Sequence, residues 1–110
     1  MIREGGEGKT VFGTFTGDGT RNRKIDLGFT PRAVLVFSEN GFTGYYEQNG
    51  HYDYYGGLAL EGHPIVFKNT DAYQLVAVTD GGFTVDYYNG TSNHCYVNQS
   101  NELRFYVAWA

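Results

Sequence analysis

Apolar and polar residues alternate along much of this chain. Ile25, Leu27 and Phe29 alternate with Lys24, Asp26 and Gly28, and Phe83, Val85 and Tyr87 alternate with Thr84, Asp86 and Tyr88. Near the end, Leu103, Phe105, Val107 and Trp109 alternate with Arg104, Tyr106 and Ala108. A period of two sends successive side chains to opposite faces of an extended strand, so each stretch reads as a strand with its first-named set turned inward. Ala33 to Phe37 is apolar throughout, which suits a strand covered on both faces and makes it the candidate centre of the fold.

Dipeptides suited to type I′ hairpin turns punctuate these stretches: Asp18-Gly19, Asn40-Gly41, Asn49-Gly50, Asp80-Gly81 and Asn89-Gly90. Asp80-Gly81 is the clearest, lying between Tyr73 to Thr79 and Gly82 to Tyr88, and Gly17-Asp18-Gly19 joins Val11 to Thr16 with Lys24 to Phe29. Strands are expected near residues 11–16, 24–29, 32–38, 44–47, 64–68, 73–79, 83–88 and 103–110, with a short one possible at 94–97. About eight short strands with Gly-rich turns predict an all-β fold, an antiparallel β-sandwich of jelly-roll type. Residues 11–110 are expected to form that single domain, after a flexible Gly-rich lead-in at 1–10.

Composition narrows the function classes. In 110 residues there are ten Tyr, eight Phe and sixteen Gly but only two Pro, which fits aromatic burial between many tight turns. The formal charge is −4 with no run of Lys or Arg, so nucleic acid is not an expected partner. No stretch approaches the ~20 apolar residues of a membrane helix, and no leader is legible at the start, so neither insertion nor export is expected. One cysteine, Cys95, allows no internal disulfide.

Catalytic patterns are weak. Gly6-Glu7-Gly8-Lys9-Thr10 lacks the upstream Gly of a phosphate-binding loop and runs into a strand. His94 and Cys95 are strand neighbours and point apart, so Cys95 reads as a buried structural thiol. His51, Asp53, His63 and His94 show no tight ligand spacing, and neither metal nor cofactor is expected. Glu47, Asp53 and Glu61 are the carboxylates an enzyme cutting or deacetylating glycans would draw on, yet no spacing singles out a pair, and the expectation is a non-enzyme. Asn89-Gly90-Thr91 and Asn98-Gln99-Ser100 match the glycosylation pattern and are read as coincidences in turns.

Residues 44–57 stand out. Five Tyr fall between Tyr45 and Tyr55, interleaved with Glu47, Gln48, Asn49, His51 and Asp53. Tyr offers an apolar ring with a hydrogen-bonding tip, suited to stacking on a sugar while amides and carboxylates take its hydroxyls; the same chemistry serves protein contacts or simply covers a core. Tyr45, Tyr46, His51, Tyr52, Asp53, Tyr54 and Tyr55 are therefore the candidate ligand-binding residues.

The stretch Gly13 to Ser38, with Ile25-Asp26-Leu27-Gly28-Phe29-Thr30-Pro31 and the apolar run after it, resembles a module of bacteriophage and prophage tail proteins, especially tail fibres and receptor-binding parts. Asp80-Gly81-Gly82-Phe83-Thr84-Val85, Asn98 and the closing Tyr106-Val107-Ala108-Trp109-Ala110 resemble the end of that module, while residues 39–72 match nothing in it. The resemblance implies a virion structural component, made in the host cytoplasm, assembled as a homo-oligomer (a trimer in fibres) and meeting a bacterial surface glycan or neighbouring tail subunits through loops. A rival expectation is a pure assembly module, with the apolar strand at 33–37 and the last strand packed on symmetry mates.

Overall fold

The computed structural model describes residues 9–46 and 51–110, and among them it shows strands and turns but no helix. The strands are β1 (Thr10–Thr16), β2 (Arg23–Asp26), β3 (Ala33–Ser38), β4 (Gly44–Tyr46), β5 (Tyr52–Tyr54), β6 (Gly57–Leu60), β7 (Val76–Thr79), β8 (Gly82–Val85), β9 (Tyr88–Asn89), β10 (Asn93–Cys95) and β11 (Leu103–Trp109). They form three sheets, ordered β1-β11-β3-β6, β4-β5-β10-β9 and β2-β8-β7. All the ladders are antiparallel except that of β5 with β10.

The core lies between the first sheet and the other two. Phe15, Val34, Val36, Ala59 and Ala108 project from the first sheet onto Val76, Phe83 and Val85, and Phe67, Leu75, Cys95 and Val97 extend the cluster. The Phe83 ring meets Tyr106 at 5.1 Å and Phe15 at 6.3 Å between centroids, edge to face as ring quadrupoles prefer. Ile25, Leu27 and Phe29 all pack against this core as the alternation predicts, although β2 itself stops at Asp26. The all-β, sandwich-like reading therefore holds.

Its details differ from expectation. Among the described residues eleven short strands in three sheets replace about eight, because 44–60 supplies three strands and 88–95 two, while 64–75 supplies only bridges such as Ile65 to Val76. Asp80-Gly81 does join the pair β7 and β8, with Thr79 opposite Gly82. The turn is not type I′, however, for Gly81 sits at φ +80° and Asp80 is not among the residues of positive φ. Asp18-Gly19 is no hairpin, since β1 pairs with β11 and β2 with β8. Asn49-Gly50 and residues 1–8 of the lead-in lie outside the described residues.

The last strand faces the opposite way from the prediction. In β11 it is Arg104 and Ala108 that are buried, while Phe105 and Trp109 are exposed. Arg104 is only 2% exposed; its Nη2 donates to the Tyr96 carbonyl at 2.7 Å and its Nη1 to the Leu103 carbonyl at 3.0 Å. Burial pulls its pKa down, and Glu102 works against that shift. Likewise β3 is covered on one face: Val34 and Val36 are sealed, whereas Ala33, Leu35 and Phe37 lie half-buried on the other side.

Candidate functional site

The β4-β5-β10-β9 sheet brings the Tyr-rich segment together with a residue 41 positions beyond Asp53. In register Tyr45 stands opposite Asp53, and Asp53 beside His94, so one row crosses β4, β5 and β10 on a single face. Neighbouring positions alternate to the other side, where Tyr54 and Cys95 turn toward the core. Gly44, Tyr45, Tyr52, Asp53 and Tyr54 line an open cavity of about 320 Å³.

At the centre of the row, Asp53 Oδ1 is 2.6 Å from His94 Nδ1, and His94 Nε2 is 3.0 Å from the Gly90 carbonyl. A carbonyl only accepts, so Nε2 donates to Gly90 while Nδ1 faces the Asp53 carboxylate. Asp53 is 7% exposed and His94 half-buried, so the pair is fixed rather than free to swing. His94 stacks on Tyr96 at 5.4 Å and 11° and meets His51 edge-on at 5.5 Å. Tyr96 continues to Tyr55 and Tyr87, and Tyr55 to Phe42, which makes a polar and aromatic surface around the carboxylate.

A buried polar frame holds the far side of β10. The Cys95 thiol donates to the Asp86 carbonyl at 3.2 Å, and burial pushes its pKa up to about 12. It is a structural thiol facing away from His94, as strand alternation predicts. The Asp86 carboxylate binds Arg21 through Nε at 2.5 Å and Nη2 at 3.0 Å, which raises the Arg21 pKa. Arg21 in turn lies over the rings of Tyr73 and Tyr88, 5.3 and 5.8 Å from their centroids. Asn98, fully buried, donates from Nδ2 to Asp18 at 2.8 Å and to the Thr20 carbonyl at 3.0 Å, tying the β1–β2 connection to the same frame.

The candidate residues divide. Tyr45, 59% exposed, and Tyr52 border the cavity, and the Lys68 ammonium lies 5.5 Å from the Tyr52 ring. Asp53 is also among its lining residues, with its side chain turned to His94, and His51 meets His94 on that face. Tyr54 lines the wall but packs its ring on Phe67 at 5.4 Å, and its hydroxyl accepts from the Lys68 amide. Tyr55 belongs to the aromatic surface beyond, with the Arg104 guanidinium 5.4 Å from its ring. Tyr46 stands opposite Tyr52. No family model, curated protein or solved structure matches this chain. The site must be read on its own chemistry.

That chemistry offers hydrogen bonding and stacking. Among the described residues no three His, Cys, Asp or Glu side chains gather as metal ligands. A carboxylate and imidazole are two members of an acyl-transfer triad, yet Nε2, where a nucleophile would sit, is occupied by the Gly90 carbonyl. Of the other carboxylates, Glu61 lies in the turn after β6 with its amide bonded to the Arg32 carbonyl, and Glu47 is outside the described residues. Sequence reasoning weighed His94 only as a metal ligand and missed Tyr96. The parallel register of β5 with β10 brings them in, and no local pattern announces it.

Proposed function

We propose that this protein is a non-catalytic binding domain of the phage or prophage tail kind, which holds a bacterial surface glycan against Tyr45, Tyr52 and Asp53. The observation that carries the reading is the open cavity of about 320 Å³ lined by Gly44, Tyr45, Tyr52, Asp53 and Tyr54, next to the row in which His94 sets the Asp53 carboxylate. Its size lies at the small end of ligand sites, and an oriented carboxylate accepting from hydroxyls beside an exposed ring is how a sugar is distinguished from water. The resemblance of residues 13–38 to tail modules supports the setting, a virion component made in the host cytoplasm.

A glycan array on the purified domain, followed by titration calorimetry on any hit, tests the reading. Binding should be lost in Tyr45→Ala, whose ring is exposed and whose removal leaves the fold intact. Failure to bind any glycan, or equal binding by Tyr45→Ala, refutes it. A second reading, an assembly domain, is favoured by a separate observation: the outward apolar face of the β1-β11-β3-β6 sheet.

A further inference from the structure

The strand register arranges that outer face in three rows. Thr10, Trp109, Ala33 and Leu60 form one, Phe12, Val107, Leu35 and Leu58 the next, and Thr14, Phe105 and Phe37 the third. Apart from the two threonines on β1, every member is apolar, and none is ionisable. Phe12 is 76% exposed, Leu58 54%, Leu60 44%, Phe105 37% and Trp109 36%. With roughly 200 Å² to an aromatic side chain and less to a leucine, the bare apolar area is on the order of 500 Å². That is near the upper end of what soluble monomers leave uncovered.

We propose that this face pairs with the same face of a second copy of the chain. Charge permits a copy: each chain carries −4, which opposes association wherever charged surfaces meet, but these rows hold no ionisable group. A polar partner would lose its hydration against the rows without gaining a hydrogen bond. Area agrees, since two such faces together cover about 1,000 Å², the level at which a contact becomes a specific interface. Shape gives the geometry. A two-fold axis parallel to the strands lays β11 over the partner's β3, setting Trp109 on the partner's Ala33, Phe12 on the partner's Leu58 and Phe105 on the partner's Phe37, across the ~10 Å between packed sheets. Val107 then faces the partner's Leu35 at the centre, where a crossing angle shifts positions least. This pairing stands apart from the sugar reading, because face and cavity belong to different sheets.

Trp109 is the chain's one tryptophan and lies within the face, so it reports the contact directly. Light scattering and Trp109 emission are followed together from about 1 to about 500 µM, the range in which a pairing of this size dissociates. The mass should rise from one chain to two while the emission shifts to the blue. Leu58→Asp should weaken association about tenfold or more with little change in melting, as Leu58 is half-exposed. Mixed Leu35→Cys and Val107→Cys chains should form a disulfide faster than either alone, buried Cys95 taking no part. A mass of one chain with unchanging emission throughout, a trimer, or a Leu58→Asp chain that associates as before would each overturn the pairing.

Discussion

Asp86 is fully buried, and its carboxylate receives four hydrogen bonds, from Arg21 Nε and Nη2 and from the amides of Asn22 (3.2 Å) and Tyr87 (2.9 Å). Replacing it with Ala removes a charge-assisted pair worth about 1.5–3 kcal/mol and leaves the half-buried Tyr87 amide dry, at about 1–3 kcal/mol. Relief from burying a carboxylate offsets part of this. The Arg21 side chain, 46% exposed, returns to water at little cost. The net loss should be about 3 kcal/mol, which for a domain of this size lowers the melting temperature by about 12–18 °C. Arg21→Ala should cost a similar amount for a different reason, since it strands a buried carboxylate. The double variant should therefore lose about 2 kcal/mol less than the sum of the two. Urea unfolding followed by circular dichroism measures all three. A loss below about 1 kcal/mol in Asp86→Ala, or additivity within about 0.5 kcal/mol, would show that this pair does not anchor the frame behind β10.

Acid should find a second anchor. The Thr20 hydroxyl and amide, then the Asn98 amide, hold the Asp18 pKa down to about 2 from 3.8. A depressed acid stabilises fully above its unfolded value, so this contribution should fade as pH falls from about 4 through 2. Asp18→Asn, already weakened at neutral pH, should show a smaller fall of the urea midpoint in that window, and parallel curves would count against the assignment. Cys95, sealed and with its pKa pushed up to about 12, should resist iodoacetamide in the folded protein at mildly alkaline pH and react fully once unfolded in urea. Ready native alkylation, read by mass spectrometry, would place the thiol nearer the surface.

Strands whose two faces differ in polarity were legible: Ile25, Leu27 and Phe29 turn inward, and Phe83 and Val85 are sealed, as their spacing predicts. Residues 52–60 were not. Tyr pairs an apolar ring with a polar tip, so Tyr52-Asp53-Tyr54 carries no sharp alternation, and Leu58 and Leu60 face outward while Ala59 alone is buried. The site was half legible for a related reason. The crowding of Tyr with Asp53 marks the segment, but the partner of Asp53 comes from 41 residues on, through a ladder that only the folded topology specifies.

The reversal of β11 is the sharper lesson, because alternation gives a strand's period without its sign. Phe105 and Trp109 outrank Arg104 and Tyr106 on any hydrophobicity scale, yet they point out. The deciding signal is in the neighbours: the register aligns Gly13, Tyr106, Val36 and Gly57 in one inward row, with glycine on both edge strands. A side chain at Gly13 would collide with the Tyr106 ring, its Cβ meeting Cε2 at 2.7 Å and meeting Cζ and Oη too. That ring is braced by Phe83 and cannot simply swing aside. Gly13→Ala should thus destabilise by about 1–3 kcal/mol, the range for overpacking. Tyr106→Phe should not rescue it, because Cζ and Cε2 remain, whereas Tyr106→Val should recover part of the loss in the double variant. If Gly13→Ala were neutral in urea unfolding, Tyr106 would not fill the space over Gly13, and the outward apolar face would lose the packing that fixes its direction.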